Sequence, residues 1–326
     1  MNILVCGGAG YIGSHMAKML SEQGYQVTVF DNFSTGNRWA VKWGQLFEGD
    51  LLSKKDLKKV FEHNSFAAVM HFSARSLVGE SVKKPELYYQ NNVIGTLNLL
   101  ETMQRAGVKQ FIFSSTAATF GNPTSDRIDE NHPQQPINPY GWSKLMVEQM
   151  LHDLASAGRI DSVSLRYFNA AGADPAGEIG EAHDPETHLI PNVLQSVSGE
   201  KQLQVFGTDY PTVDGTCVRD YIHINDLCNA HLLALKYLQT HSGAHGFNLG
   251  NGHGFSILEV LQAAERVTGQ TIDYEVEGRR PGDPPTLVAD SALAQQELGW
   301  RPEYTELEAI IATAWNWEQN RRKLGL

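Results

Sequence analysis

Cysteine is scarce in this chain, and its scarcity argues against two kinds of stabilised protein. Three cysteines occur in 326 residues, namely Cys6, Cys217 and Cys228. Their number is odd, their spacing is wide and no Cys-x-x-Cys pair occurs, so neither a disulfide framework nor a zinc site is expected. We therefore predict no bound metal and a reducing compartment, the cytoplasm.

Basic charge and long apolar runs are also in short supply. Lysines and arginines number 26 against 37 aspartates and glutamates, which gives a formal net charge of -11. This balance argues against an extended surface for nucleic acid or for an anionic membrane, although local basic pockets for a phosphate are compatible with it. The sequence also lacks a membrane-spanning run and a signal-peptide pattern. We therefore predict a soluble globular protein with one large domain or two coupled domains.

What the sequence does contain is a glycine-rich turn close to its start. The apolar run 2–6 predicts a buried strand, and it leads into Gly7, Gly10 and Gly13, which precede a predicted helix over 14–23. Glycines at this spacing allow a tight turn, close approach of a pyrophosphate and close packing of helix on sheet. The helix N-terminus then offers free N–H groups to phosphates. Surface turns can show the same spacing, but the strand before it and the helix after it favour dinucleotide binding.

Asp31 follows the next predicted strand, over 26–30, and indicates which dinucleotide is bound. Its carboxylate can accept hydrogen bonds from the adenosine ribose diol and would repel a 2′-phosphate, so we predict NAD rather than NADP. Asp50 follows the predicted strand 45–48. It can contact the adenine or cap a loop, and the sequence favours neither role.

Apolar strands alternate with amphipathic helices through the first half of the chain. Further strands are predicted over 67–72, 110–113 and 162–167, with helices over 53–62, 86–105 and 145–154 and a loop over 75–85. The alternation predicts an α/β fold built on a Rossmann-type doubly wound parallel sheet. Ligands bind at the carboxyl ends of the strands in such sheets, where Gly7, Asp31, Asp50, Phe72 and Thr116 all fall.

The second half has shorter elements joined by long polar loops. Helices are predicted over 190–198, 225–239, 256–268 and 306–319, and strands over 203–206, 246–249 and 271–276. Loops cover 172–186 and 207–216. This pattern predicts a smaller C-terminal α/β domain that covers a substrate.

Tyr140 and Lys144 lie four residues apart at the start of a predicted helix. That spacing places both side chains on one face, one turn apart. A nearby ammonium favours the phenolate and lowers the tyrosine pKa toward neutrality. Tyr-x-x-x-Lys is common on helices, so the pair indicates a catalytic base only in combination with other features.

Thr116, Tyr140 and Lys144 beside a dinucleotide site resemble the catalytic set of the short-chain dehydrogenase/reductase superfamily. The Gly7, Gly10 and Gly13 spacing and the long second half resemble its extended branch, which acts on nucleotide sugars. Within that branch the chain is similar to the UDP-glucose 4-epimerase family from residue 1 to about residue 317. The strings that carry this resemblance are 10–15, 78–81, 140–144, 166–169, 215–223 and 279–283. The string 218–223 accompanies the Tyr-x-x-x-Lys set in few other families.

The resemblance implies an isomerase that inverts C4 of a UDP-hexose, interconverting UDP-glucose and UDP-galactose. Tyr140 would take the proton of the sugar 4-hydroxyl, Thr116 would hold and polarise that hydroxyl, and Lys144 would bond the nicotinamide ribose and lower the Tyr140 pKa. Hydride would pass from C4 to NAD and return to the opposite face of a 4-keto sugar. Because net redox is zero, NAD would stay bound.

The resemblance also implies binding residues and assembly. The expected cofactor-binding residues are Gly7, Gly10, Tyr11, Ile12, Gly13, Asp31, Asn32, Asp50, Leu51, Phe72, Ser73, Asn91, Ser114, Tyr140, Lys144 and Phe168. The expected substrate-binding residues are Thr116, Tyr140, Asn169, His188, Leu189, Gln204, Phe206, Arg219, Arg280, Asp283 and Leu287. Residues 1–170 would form the NAD-binding domain, with a return of 220–250 to it, and 171–326 the nucleotide-sugar domain. A homodimer would form through the helices over 86–105 and 139–154.

Several departures from the family pattern leave alternatives open. His188 stands where Asn is frequent, and residues 73–76 differ from the usual string near the nicotinamide. Leu287 is smaller than the Tyr of some relatives, so a 4-epimerase acting on UDP-GlcNAc/UDP-GalNAc or on a UDP-uronic acid is the alternative. A 4,6-dehydratase would need an acid and a base after Thr116, where two alanines stand. A catalytically inactive NAD sensor would lack the Tyr140 and Lys144 pair.

Overall fold

The computed structural model of the chain describes residues 1–280 and 283–326. Pro281 and Gly282, which belong to one of the strings quoted above, lie outside the described residues. The strands are β1 Asn2–Cys6, β2 Gln26–Asp31, β3 Gln45–Glu48, β4 Ala68–His71, β5 Gln110–Ser114, β6 Asp161–Tyr167, β7 Asn169–Ala171, β8 Leu203–Phe206, β9 Val218–His223, β10 Ala244–Leu249, β11 Gly254–Ser256, β12 Tyr274–Glu277 and β13 Thr286–Leu287.

The helices alternate with these strands through the first half of the chain. They are α1 Tyr11–Glu22, α2 Lys54–His63, α3 Val78–Lys83, α4 Pro85–Tyr88, α5 Gly95–Arg105, α6 Pro139–Ser156, α7 Leu189–Val197, α8 Ile224–Tyr237, α9 Ile257–Thr268, α10 Ala292–Glu297 and α11 Leu307–Leu324. Within 1–280 and 283–326, no helix has the length and apolar character needed to cross a membrane.

A seven-stranded parallel sheet forms the larger part of the molecule. Its strand order is β10-β6-β5-β4-β1-β2-β3, with every neighbouring pair parallel. Successive side chains of a strand point to opposite faces. Accordingly, Ile3 and Val5 pack with α1 and α8, whereas Leu4 and Cys6 pack with α2, α5 and α6. Helices on both faces of a parallel sheet confirm the predicted doubly wound α/β fold.

The second, smaller part is built from short strands and three helices. β9 pairs with β7, β11 and β13, and β8 pairs with β12. Helices α7, α9 and α11 enclose a separate apolar core with β8 and β9. The position of β10 in the large sheet, beside β6, brings the chain back to the first part after β9 and α8.

Three predicted elements were wrong in detail. The segment 75–85 is not all loop, because it contains α3; only Ser81 of that helix is buried, so no apolar period marks it. The helix over 86–105 is α4 and α5 joined by a π-helical turn, Tyr89–Ile94, around the buried Asn92. The last strand of the second half is shifted to Tyr274–Glu277, which is exposed throughout.

Strand β9 and its partners β7, β11 and β13 were missed altogether. The sequence interpretation left 218–223 without a strand assignment. Its pairings reach β7, β11 and β13 at distant points of the chain, and such long-range pairing leaves no local period in the sequence.

Candidate active site

The glycine-rich turn brings two backbone segments closer than any side chain would permit. A Cβ on Gly13 would lie 2.1 Å from the Gly7 carbonyl oxygen, and a Cβ on Gly7 would lie 2.6 Å from the Ser73 amide nitrogen. Gly7 also has φ of +78°, a conformation that favours glycine. Gly10 caps α1 without a side-chain hydrogen bond from the described residues, so the first N–H groups of that helix, including those of Tyr11 and Ile12, remain for a ligand. This cradle fits a dinucleotide pyrophosphate.

Asp31 lies at the carboxyl end of β2 and faces the same turn. Its Oδ2 accepts a hydrogen bond from the Ala9 N–H at 2.9 Å, and its Oδ1 accepts one from the Phe33 N–H at 2.8 Å. The pKa of the Asp31 carboxyl is raised, because the effect of burial is larger than the opposing effect of these backbone hydrogen bonds. The adjacent Asn32 donates to Asp50 Oδ2 at 3.0 Å. The acidic group is therefore fixed beside the turn, where a ribose diol would lie.

The other predicted cofactor residues fall along the same edge of the sheet, with one exception. Phe72 and Ser73 follow β4, Ser114 ends β5, and Leu51 is buried beside Gly95. Phe168 follows β6 and packs on the small cluster of Ala117, Phe120 and Ile128. The Asn91 amide instead donates to the Asn92 Oδ1 at 2.9 Å, and its predicted cofactor contact stays a prediction.

Helix α6 positions the Tyr140 and Lys144 pair. The Asn138 side chain accepts the Gly141 N–H at 2.8 Å, and Pro139 occupies the first helical turn, which together start the helix. The helix thus begins six residues before the predicted 145–154 segment and includes both residues. A Cβ on Gly141 would lie 2.4 Å from the Ala118 carbonyl oxygen, so α6 lies directly against the segment that follows Thr116.

Burial dominates the electrostatics of this pair. Burial raises the pKa of Tyr140, and a hydrogen bond with Thr116 lowers it less strongly. Burial also lowers the pKa of Lys144 to about 7, although Glu148 acts in the opposite sense. The Lys144 amine donates to the Ser114 carbonyl at 2.7 Å and lies 4.8 Å from the centroid of the Phe113 ring. In the polypeptide alone the Tyr140 pKa is therefore raised, because desolvation outweighs the hydrogen bond with Thr116, and the lowering of this pKa by Lys144 stays a prediction.

A concave surface opens on the side of the smaller part. Its lining includes Asn169 and Tyr221 and, at the start of α7, His188 and Leu189. The Asn169 amide donates to the Asp220 carbonyl at 2.9 Å, which fixes the start of β7 against β9. The structure therefore brings the predicted substrate residue Asn169 together with two others from a later segment of the chain, His188 and Leu189.

Two arginine arrangements lie farther out on the predicted substrate side. The Arg219 guanidinium donates to Asp283 Oδ1 at 3.1 Å, and the Arg280 guanidinium lies 4.0 Å from the centroid of the Phe206 ring. Leu287 pairs with Arg219 in the β13–β9 ladder and packs with Phe168 on the cluster next to Thr116. Gln204 lies on β8 with its side chain exposed.

The sequence interpretation missed residues on both sides of the site. A concavity beside Gly10 is lined by Thr35, Asn37 and His183. For Thr35 and Asn37, the run 32–37 that follows Asp31 was a sequence signal that could have identified them. It also missed an ion pair between α6 and β6, in which the Arg166 guanidinium donates to the Glu148 carboxylate at 2.6 Å. Ser115 also donates to Glu148, at 2.5 Å. No sequence pattern connects 148 with 166.

Comparisons with known proteins agree with this geometry. The model of the NAD dependent epimerase/dehydratase family matches residues 3–250. A UDP-glucose 4-epimerase of Halalkalibacterium halodurans is 51% identical over 98% of this chain and 96% of its own length. The crystal structure of UDP-glucose 4-epimerase from Brucella ovis in complex with NAD has a TM-score of 0.94 at 50% identity and covers 96% of this chain and 97% of its own.

A second solved structure contains both kinds of ligand. It is the UDP-glucose 4-epimerase from Bifidobacterium longum in complex with NAD+ and UDP, with a TM-score of 0.94, 39% identity and coverage of 99% of both chains. The similarity thus extends over the whole length of this chain, in sequence as well as in fold.

Proposed function

We propose an activity for this chain from one premise: it belongs to the NAD dependent epimerase/dehydratase family. Its activity is NAD-dependent interconversion of UDP-glucose and UDP-galactose by inversion at C4. The observation that carries this proposal is the convergence of Thr116, Tyr140 and Lys144 at the sheet edge that also holds the Gly7–Gly13 cradle. Relatives named UDP-glucose 4-epimerase at about half identity support the choice of substrate.

The residues of the chain divide the chemistry between them. Thr116 and Tyr140 hold the sugar 4-hydroxyl, and Tyr140 takes its proton and later returns it. Lys144, anchored to the Ser114 carbonyl, would donate a hydrogen bond to the nicotinamide ribose. The chemistry that NAD supplies when bound is reversible hydride transfer at C4. Because the hydride returns to the opposite face, the pocket must let the 4-keto sugar turn.

We also propose that residues 1–170 form the cofactor unit and 171–326 the sugar-nucleotide unit. The pairing of β10 with β6 supports the return of 220–250 to the first unit. In the second, Arg219 and Arg280 would neutralise the UDP pyrophosphate, and Asp283 would accept a ribose hydroxyl. The ion pair between Arg219 and Asp283, 3.1 Å long, supports the assignment of both groups to one ligand.

The size of the residue at position 287 is compatible with a second class of substrate. Leu287, like Phe168, packs against the cluster of Ala117, Phe120 and Ile128, and a leucine fills less volume than the tyrosine of some relatives. An N-acetyl group or a carboxylate on the sugar is therefore the alternative. Comparison of kcat/KM for UDP-galactose, UDP-GalNAc and a UDP-uronic acid on one preparation separates these substrates.

The central test is turnover without an external oxidant. Purified protein incubated with UDP-galactose should form UDP-glucose with no net NADH, whereas product that appears only with stoichiometric NADH would identify a dehydrogenase. Tyr140→Phe should retain NAD and lower kcat by about 100-fold or more, the contribution of a general base. Tyr274→Phe, at an exposed tyrosine of β12, is the matched control and should leave kcat unchanged. A wild-type rate for Tyr140→Phe would remove this residue from the mechanism.

A homodimer in the cytoplasm completes the proposal. Ile94, Leu97, Trp142 and Met146 are 40–48% exposed on the neighbouring segments before and within α5 and on α6, a clustered apolar surface of the kind that subunit interfaces cover. Free, buried cysteines are compatible with a reducing compartment. Sedimentation should show a dimer that Met146→Glu dissociates and Val276→Glu, on exposed β12, does not. A wild-type monomer would contradict the assembly.

A further inference from the structure

Four metal-binding side chains meet in the loop that precedes α7. Glu181, His183, Glu186 and His188 each present one oxygen or nitrogen atom, and these four atoms all lie within 4.8 Å of one another. The cluster mixes two imidazoles with two carboxylates, so it is not merely an acidic patch. Glu181 and Glu186 are 7% and 9% exposed, and isolated buried carboxylates require a compensating partner.

The hydrogen bonding within the cluster is incomplete. His183 Nδ1 and Glu186 Oε2 are buried and have no hydrogen-bond partner among residues 1–280 and 283–326. They nevertheless face the cluster, because His183 Nδ1 lies 3.0 Å from Glu181 Oε1 and 3.8 Å from Glu186 Oε2. His188 Nδ1 and Glu181 Oε1 already form a hydrogen bond, 2.5 Å long. A cation among the four side chains would satisfy the two atoms that this bond leaves without a partner.

We propose that these four residues bind one divalent transition-metal ion, with zinc as the best match. Zinc binds His nitrogen and carboxylate oxygen at about 2.0–2.2 Å in a tetrahedron, which separates neighbouring ligand atoms by about 3.4 Å. His183 Nδ1 lies 3.0 Å from Glu181 Oε1 and 3.8 Å from Glu186 Oε2, on either side of that value. His188 Nδ1 lies only 2.5 Å from Glu181 Oε1, so these two atoms would have to move apart when the ion binds. Two carboxylates also balance the charge of the ion. The inference revises the prediction of no metal, which considered mainly cysteine ligands.

The position of the cluster gives the ion a structural role. His183 lies edge-on to Tyr11 of the glycine-rich turn, with ring centroids 6.4 Å apart, and His188 lines the concavity beside Asn169. The Glu181 carbonyl accepts the Trp317 indole N–H at 2.8 Å. With all four positions filled by protein, the ion is closed to substrate and would hold one loop against both the cofactor side and the sugar side.

Metal content of the purified, NAD-containing protein tests the site directly. After dialysis against a chelator and then against zinc chloride, the wild type should contain one zinc per chain by mass spectrometry. Glu186→Gln keeps the oxygen that accepts the Thr187 and His188 N–H groups but removes the negative ligand. It should weaken zinc binding by about 100-fold or more, since even outer-shell changes cost about 10–100-fold. Glu277→Gln, at an exposed carboxylate of β12, is the control.

A second variant and a spectroscopic measurement keep the result interpretable. His183→Gln should also lose the zinc, whereas His152→Gln, at an exposed histidine of α6, should not. Cobalt bound to the wild type should show the intense visible absorption of a tetrahedral site, and both cluster variants should lack it. A zinc-free wild type would overturn the proposal, as would equal zinc in all four variants. The cluster would then be a network of His–Glu ion pairs.

Discussion

The glycine-rich turn allows cofactor binding and folding to be perturbed separately. Gly10 and Gly13 lie three residues apart, yet a methyl group would meet different surroundings at each. A Cβ on Gly10 would have one close neighbour, the Gly7 carbonyl oxygen at 3.3 Å, whereas on Gly13 it would lie 2.1 Å from that oxygen and 2.8 Å from the Gly8 Cα. Gly10→Ala should therefore fold, and Gly13→Ala should be strained.

The magnitudes follow from these contacts. Gly13→Ala forces two backbone segments apart, and overpacking of that kind costs about 3 kcal/mol, which lowers Tm by roughly 4 °C in a chain of this size. Gly10 is an N-cap with φ of -81°, a value that alanine adopts, so Gly10→Ala should cost only about 1 kcal/mol. Its methyl group would occupy the space above the helix N-terminus, however, and should weaken NAD binding by about 10–100-fold.

The assay measures two quantities on each variant: Tm, and NAD per chain released on denaturation. Gly79→Ala serves as the control, because a Cβ there meets nothing within 4 Å. We expect Gly10→Ala to combine near-normal Tm with depleted NAD, and Gly13→Ala to lose both. Full NAD content and normal turnover in Gly10→Ala would refute a pyrophosphate at this turn. A wild-type Tm for Gly13→Ala would refute the close approach to Gly7.

Three further perturbations follow from single contacts. Burial lowers the pKa of His231 to about 4. Below about pH 6.5 the unfolded chain therefore binds a proton at this histidine while the folded chain does not, and the folded state is destabilised as the pH falls. In His231→Leu, urea unfolding should show a loss of stability between pH 6.5 and 4 that is smaller by up to about 3 kcal/mol. Asp31→Ser removes the buried carboxylate beside Ala9 and should move the ratio of NADP to NAD affinity at least tenfold toward NADP, about 1.4 kcal/mol; an unchanged ratio would count against Asp31 as the ribose ligand. Glu148→Gln leaves the Arg166 guanidinium, whose side chain is 11% exposed, without its charge partner. It should lower the free energy of unfolding, measured by thermal unfolding, by about 3–5 kcal/mol, and the double variant with Arg166→Met should lose less.

The parts of this molecule that could be predicted from the sequence are those encoded locally. The strand, glycine turn and helix of residues 2–22 lie within one short segment, and Asp31 follows at the next strand end. Because parallel strands place their carboxyl ends at one edge, the positions of Phe72 and Ser114 followed from the strand assignments alone. Tyr140 and Lys144 needed only a helix, whose start at Asn138 and Pro139 is also a local signal.

The parts that could not be predicted depend on contacts between distant segments. Strand β9 exists because β7, β11 and β13 pair with it, and no window of the sequence contains those strands together. The Glu148 and Arg166 pair connects α6 with β6 in the same way. The four-residue cluster over 181–188 is local in the sequence, but its members lie at irregular intervals in a loop, with Ala182, Asp184 and other residues between them. Only the folded loop shows that they converge.

The pKa values of Tyr140 and Lys144 in the polypeptide alone indicate what a bound cofactor would have to contribute to the proposed chemistry. In the chain alone, burial raises the pKa of Tyr140 and lowers the pKa of Lys144 to about 7, so the phenol is protonated at neutral pH and the lysine is only partly charged. In the function proposed above, an oxidised nicotinamide beside Tyr140 would add a positive charge that favours the phenolate. Proton abstraction would then be favoured when the oxidised cofactor, the hydride acceptor, is bound. The burial that opposes ionisation of Tyr140 in the polypeptide alone would in this way tie proton transfer to hydride transfer.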